Sequence, residues 1–261
     1  MLPSSSAVKY ETRDRVAWVT LNRPEAMNAL NGQIFDGLRE VFLEATNNND
    51  ILAIVLTGEG GKAFSSGADL KEMRSRRDTS GSFTPARSPG DDPVEQCPKP
   101  VIAAIDGFCL GGGLELALRC DIRIATEKSR FGLSEPRWSI LAAYGLHNLS
   151  RMIPLGEAMW IQLTGSQMTA QRAYDIGLIQ ALVPGRDALF AEAERVTAEI
   201  KKCAPLAVQA IKHIVKVGRS LPVEYSWELA KPIAEQIDKT EDRIEGTKAF
   251  TEKRPPAWKM R

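Results

Sequence analysis

Residues 100–120 read PVIAAIDGFCLGGGLELALRC, and they decide how the rest of the chain is read. The apolar run Val101–Ile105 has the length and composition of a buried strand. It stops at Asp106-Gly107, after which the triple glycine Gly111-Gly112-Gly113 opens a helix. The first amides of a helix have no carbonyl partner inside it, and glycine lets an anionic group approach them without meeting a Cβ. The turn therefore suits an oxyanion or a phosphate. Glu115 falls in the first turn of that helix, between Leu114 and Leu116 and ahead of Ala117 and Leu118. A carboxylate on so apolar a face is either a catalytic group or a complement to the helix dipole, the latter worth about 0.3 to 1 kcal/mol.

Working outward, 261 residues of ordinary apolar content can bury a large core, so one α/β domain with an appendage, or two small domains, is expected. A formal charge of +1 argues against a nucleic acid or a membrane surface as the main partner. Cys97, Cys109, Cys120 and Cys203 form no CxxC pair and read as small core residues of a reduced compartment. His147 and His213 are far apart and no HExxH occurs, so no metal is expected. The opening MLPSSSAVKY has neither a basic n-region nor a long apolar segment, and no run approaches the ~20 residues of a membrane helix. A cytoplasmic protein is the expectation.

Strands are predicted over 7–12 and 16–21 as a hairpin turning at Asp14, and Asn31 caps a helix whose apolar positions are Ile34, Leu38, Val41, Phe42 and Ala45. A continuous apolar strand follows over 51–57. Gly58, Gly60 and Ala63 then mimic a dinucleotide fingerprint, but Phe64-Ser65-Ser66-Gly67 stands where its helix should begin. Gly61-Lys62 mimics a P-loop, yet Leu56 and Ala63 occupy the positions that need glycine and Ser or Thr. Gly67 to Met73 reads as a second tight turn into a short helix. Residues 75–93 are Ser, Pro, Gly and charge without periodicity, which marks a mobile loop or lid. A strand is expected over 121–125 and a turn over 131–136, and the alternation of strand and helix predicts parallel βαβ steps. From about Gly145 the pattern turns helical: 155–164, 170–175, 186–202, 205–218, 222–239, and 240–251 capped by Thr240.

Three stretches carry little separately and much together: LNRPEAMNAL (21–30), FSSGADLKEM (64–73), and residues 107–121. In order, spacing and chemistry they resemble the crotonase or enoyl-CoA hydratase superfamily. The resemblance continues through 131–135, Leu163-Thr164-Gly165, 173–178 and 250–255, covering nearly the whole chain. It implies a spiral of repeated ββα units over 1–200 and a C-terminal helical region over 201–261 that serves trimerisation and closes the site. It implies catalytic groups as well: an oxyanion hole from the backbone amides of Ala68 and Gly112, with Glu115 activating water and Glu135 protonating Cα. The substrate would be an acyl-CoA thioester, with coenzyme A part of the substrate and no separate cofactor. Its contacts would be Ala26, Ser66, Ala68, Asp69, Leu70, Lys71 and Gly112, with Lys253 near the phosphates and Arg23 a further candidate. A homotrimer or dimer of trimers is implied.

Hydratases of this family usually carry a run of the type IPGAGGT after the acid glutamate, where this chain reads PRWSILAAYGLH (136–147). Trp138, Tyr144 and His147 are therefore candidates for reshaping the acyl end of the pocket, and His147 is either a third acid/base group or a core or cap histidine. Hydration of a 2-enoyl-CoA is the expected reaction. Another thioester-enolate reaction (isomerisation, hydrolysis, decarboxylation, carbon-carbon cleavage) and a catalytically silent acyl-CoA-binding subunit are the alternatives.

Overall fold

The computed structural model describes residues 6–72, 74 and 92–261. Among these, β1 (Val8–Arg13), β2 (Val16–Leu21), β3 (Ala53–Gly58), β5 (Val101–Ile105), β7 (Ile122–Thr126) and β10 (Ala181–Val183) form one sheet in the order β1-β2-β3-β5-β7-β10. A second sheet, in the order β4-β6-β8-β9, is built from β4 (Ala63–Ser65), β6 (Phe108–Leu110), β8 (Arg130–Gly132) and β9 (Gln167–Thr169). β1 and β2 are the predicted antiparallel hairpin, and every other pairing of the large sheet is parallel, as the βαβ reading requires. Each of β3, β5 and β7 is followed by a short strand of the second sheet, so the chain spirals, laying one strand in each sheet per turn. This is the ββα spiral that the resemblance implied.

The central strands are apolar throughout because both faces of the large sheet are covered. Along β3 and β5 the residues alternate: Ile54, Leu56, Val101, Ala103 and Ile105 enter one core, whereas Ala53, Val55, Ile102 and Ala104 enter the other. The first core is shared with α1 (Gly32–Asn47), whose stripe Ile34, Leu38, Val41, Phe42 and Ala45 is the predicted one and whose Asn31 Oδ1 accepts from Ile34 N at 3.0 Å. The second is closed by Leu189 and Ala193 of α7 (Arg186–Lys201). Further helices among the described residues include α2 (Pro93–Gln96), α3 (Gly112–Arg119), α4 (Tyr144–Asn148), α5 (Leu155–Thr164), α6 (Ala170–Asp175), α8 (Pro205–Gly218), α9 (Val223–Asp238) and α10 (Glu241–Glu252). α10 begins where predicted, with Thr240 Oγ1 accepting from Arg243 N.

The second sheet is the main departure from the sequence reading. β6 lies inside what reads as the loop between a strand and its glycine helix, β4 and β8 inside what read as turns, and β9 and β10 inside the helical half. Strands of three residues are too short to show a period, and their glycines and serines signal turns instead. The glycine of the false dinucleotide motif has a packing role: a Cβ on Gly58 would lie 2.5 Å from Ala63 O. The loop predicted over 75–93 falls outside the described residues up to 91, but Asp92 and Pro93 already belong to a capped helix, with Asp92 Oδ1 accepting from Val94 N at 2.9 Å. Cys203 is exposed rather than a core residue, unlike the other three cysteines.

The helix that matters most, α3, is fixed at its C-terminal end by two cations aimed at its last carbonyls. Buried Arg123 donates to Ala117 O (3.2 Å) and Cys120 O (2.9 Å), and Lys216 of α8 donates to Arg119 O at 2.9 Å. No helix of the described residues is long and apolar enough to cross a membrane.

Candidate active site

Strands β4, β6 and β8 run parallel, so the chain leaves all three at the same edge of the small sheet. Beyond β4 the chain turns at Gly67 (φ 101°), and beyond β6 at Gly111 (φ 53°). The two turns touch backbone to backbone. A Cβ on Gly67 would lie 2.9 Å from Leu110 O and 3.2 Å from Gly112 N, and one on Gly112 would lie 3.5 Å from Ala68 N. Leu30 pairs with Ala68 as a parallel bridge, its N–H donating to Gly67 O (2.7 Å) and its carbonyl accepting from Asp69 N (2.9 Å). In such a bridge the N–H of Ala68 points away from Leu30. Gly112 is the first residue of α3, so its N–H has no partner four residues back. Among the described residues neither amide has an acceptor.

The close contact yields a direct test. A Cβ on Gly113 would fall 2.5 Å from Ser65 O and 2.7 Å from Ser65 Cβ, where neither backbone can yield cheaply. Gly113→Ala should cost about 1 to 3 kcal/mol and lower turnover by at least ~10-fold, since a shift near 1 Å at a site is that damaging. Gly156→Ala in α5, where a Cβ meets nothing within 4 Å, is the control and should leave both unchanged or gain slightly in stability. Thermal melts and turnover read both, and equal behaviour of the two variants would contradict the packing.

Two carboxylates flank these amides. Glu115, one turn into α3, is mostly buried, and its Oε1 accepts from Gly145 N at 2.7 Å. Burial raises its pKa, while that amide, the Arg119 charge and the neighbouring amides of Ala143 and Tyr144 pull it back down. Glu135 follows β8 at the head of a short 3-10 turn, Glu135–Trp138. Its Oε1 lies 3.2 Å from where a Cβ on Gly111 would stand, and its Oε2 is buried without a hydrogen-bond partner. Burial raises its pKa, its own backbone amide pulls it partly back, and the charge of Glu115 raises it further. A Cβ on Gly145 would press on the Leu133 methyls, the nearer at 2.8 Å, so that side chain would have to shift. Sequence reasoning missed the Gly145 amide; that its glycine survives within 136–147 is the signal that could have found it.

Of the other predicted contacts, Ala26 ends the 3-10 turn Pro24–Ala26, and Ser66 N donates to Met27 O at 3.0 Å, which ties that loop to the Gly67 turn. Buried Asn28 holds the same loop, donating to Glu59 O and Ala63 O. Asp69 and Arg23 are joined by an ion pair of 3.0 Å; Arg23 also donates to Ala29 O, and Asp69 Oδ1 accepts from the N–H groups of Lys71 and Glu72. Their polar atoms are thus engaged in shaping the turn. Leu70 and Lys71 are exposed beside it. Lys253 is the left-handed cap of α10, and no hydrogen bond or ion pair joins it to the turn among the described residues. Trp138 is 67% exposed and Leu141 80% exposed. His147 is exposed in the last turn of α4, neither a core nor a capping histidine. Tyr144 is half-buried, with its ring under the Arg119 guanidinium.

A family model described as enoyl-CoA hydratase/isomerase matches residues 11–261. The (E)-benzylidenesuccinyl-CoA hydratase of Thauera aromatica is 39% identical over 97% of this chain and 98% of its own length. A short-chain-enoyl-CoA hydratase of Clostridium acetobutylicum is 35% identical, covering 95% of both chains. The crystal structure of an enoyl-CoA hydratase from Bacillus anthracis superposes with a TM-score of 0.88 at 32% identity, over 98% of this chain and 100% of that one.

Proposed function

The chain belongs to the enoyl-CoA hydratase/isomerase family, and from that premise we propose that it adds water reversibly, in syn fashion, across the 2,3 double bond of a 2-enoyl-CoA thioester. The observation that carries this reading is the meeting of two unpaired amides, Ala68 and Gly112, with two buried carboxylates, Glu115 and Glu135, at one edge of the small sheet. Addition of water needs both kinds of group. Ionised Glu115 takes a proton from water as its oxygen bonds to Cβ, and the π electrons move onto the thioester oxygen between the two N–H groups. That enolate collapses as Cα takes a proton from Glu135, and exchange through solvent resets the pair. Fixed donors stabilise the enolate more than the neutral thioester, which is what lowers the barrier. The division of labour follows from the surroundings. The Gly145 amide favours the charged form of Glu115, whereas the unpartnered Oε2 of Glu135 favours the proton staying there.

On this reading Ala26, Ser66, Leu70 and Lys71 lie along the coenzyme A moiety, Lys71 and Lys253 are the cations available to its phosphates, and Asp69 with Arg23 acts as the clasp that shapes the turn. No separate cofactor takes part. Exposed Ile211, Val215, Val223, Tyr225 and Trp227 on α8 and α9 support self-association through the helical tail.

The acyl group is larger than crotonyl, a reading supported by Trp138, Leu141 and Leu146, which place apolar surface on the segment following Glu135. The Thauera relative's name, which specifies an aromatic acyl group bearing a carboxylate, supports it too. Following loss of the enoyl thioester absorbance across short, branched, aromatic and carboxylate-bearing substrates tests both claims. Crotonyl-CoA is expected to rank below the larger thioesters; a panel with crotonyl-CoA first contradicts the size argument, and no turnover of any member contradicts hydration.

A further inference from the structure

Glu115 is held by a structure that lies behind it, away from the amide pair. Arg119, one turn further along α3, is fixed on three sides: its Nη1 donates to Glu115 O at 3.0 Å, its guanidinium carbon sits 4.2 Å from the centre of the Tyr144 ring, and its Nε is 3.1 Å from Asp92 Oδ2. The last contact is an ion pair whose N–H is not aimed along a hydrogen bond. Asp92 is itself immobilised as the cap of α2. Tyr144 is held by Arg119 across its ring face, and its hydroxyl faces the charge of Glu95 in α2. Asp92, which pairs with Arg119, and Glu95 come from one turn of chain.

Tyr144 opens α4, a helix of five residues whose cap position, Ala143, supplies no side-chain hydrogen bond. So short a helix has little stability of its own, and its placement depends on what grips its first residue. The next residue is Gly145, whose N–H reaches Glu115 Oε1. We infer that Arg119 and Tyr144 are positioning residues for hydration: stacked together, with Arg119 anchored to Asp92, they hold the Gly145 amide against the Glu115 carboxylate and so fix that carboxylate in its working orientation. This rests on the hydratase reading for the role of Glu115, but not for the geometry.

Removing the stack has two consequences for Glu115. The carboxylate loses orientation, which lowers kcat with little effect on thioester binding. It also loses the positive charge and the donated N–H that favour its ionised form, so its titration moves to higher pH. The groups facing Glu115 are Arg119 on its own helix, Glu135 beyond β8 and the amides at the start of α4, with Tyr144, Asp92 and Glu95 behind the guanidinium. Arg119 is the only cation among them, so the direction of the shift is set by its loss.

The test uses the full-length protein in two measurements. The first is steady-state kinetics of Arg119→Met, Arg119→Lys, Tyr144→Leu and Tyr144→Phe, alone and combined with Glu115→Gln. Arg119→Met and Tyr144→Leu should lower kcat by at least ~10-fold with KM within about twofold, move the acid limb of kcat/KM to higher pH, and be partly rescued by Arg119→Lys and Tyr144→Phe. In the Glu115→Gln background the same changes should add almost nothing. The second is carbon-13 titration of the Glu115 carboxyl, read against Glu115→Gln to assign it, which needs no turnover. Its midpoint should rise in Arg119→Met and in Tyr144→Leu. Full additivity with Glu115→Gln, or an unmoved carboxyl titration, overturns the inference. A shifted carboxyl in a protein that hydrates no thioester upholds the positioning and overturns the hydratase reading instead.

Discussion

Glu135→Gln is expected to lower hydration by at least ~100-fold and, at about pH 8, to raise the melting temperature. Both effects have one cause. The Glu135 carboxyl is buried, its Oε2 has no partner, and Glu115 faces it. Ionising it in the folded protein therefore costs free energy that the unfolded chain does not bear. A carboxyl with a raised folded pKa penalises the fold in full above that pKa, less and less as the pH falls below it, and not at all below the unfolded value of about 4.3. The stability gained by the amide should thus be largest at about pH 8 and fade as the pH falls towards about 4.3, the ordinary glutamate value, while the wild-type group takes up its proton. Activity is lost at every pH because an amide cannot release a proton to Cα. Glu115→Gln should match the loss of turnover, with acyl-CoA binding retained in both variants. Paired melts and rates across that pH range decide the matter: near-normal turnover in both variants removes the catalytic roles, and a gain in stability that does not depend on pH removes the electrostatic account.

Ala68→Pro should remove one of the two donors and cost about 2.7 to 4 kcal/mol of transition-state stabilisation, a drop of 10²–10³ in kcat. The change deletes an N–H that bonds to nothing within the protein, from a residue whose side chain is exposed, so little stability is at stake. The bridge with Leu30 runs through Gly67 O and Asp69 N and leaves the residue 68 amide out. Ala68→Ser keeps the N–H and should be mild. Measuring kcat, acyl-CoA affinity and melting temperature for both separates a lost donor from a distorted turn. Equal losses in kcat would show that the amide of residue 68 is not the donor.

The central strands of the large sheet were legible because they are buried on both faces and long enough to be unbroken apolar runs, as β3 and β5 show, whereas three-residue β10 at its edge was not. The capped helices α1 and α10 were legible because Asn31 and Thr240 supply hydrogen bonds that only a helix start uses. Strands β4, β6 and β8 were not, because three residues carry no period and their pairing is dictated by neighbours far off in sequence. The amide pair was accessible as chemistry, through the glycine turn at 111–113 and the small residues at 67–68, while its juxtaposition waits on that hidden sheet. Arg119 and Asp92 escaped notice for a related reason. An arginine at the end of a helix and an aspartate after a polar loop both look solvated, and only folding brings them together behind Glu115.

Because Ala68 and Gly112 emerge from the ends of adjacent parallel strands, the gap between them is governed by the spacing of backbone ladders, about 4.8 Å in any sheet. The gauge of the amide pair is thus fixed by peptide geometry. Residues 136–147 take no part in setting that gauge. With those amides receiving the thioester carbonyl as proposed, Trp138 and Tyr144 can reshape the room beside the acyl tail without moving them. On the hydratase reading, the ruler and the mould lie in separate pieces of chain, so the choice of thioester can change while the reaction centre stays.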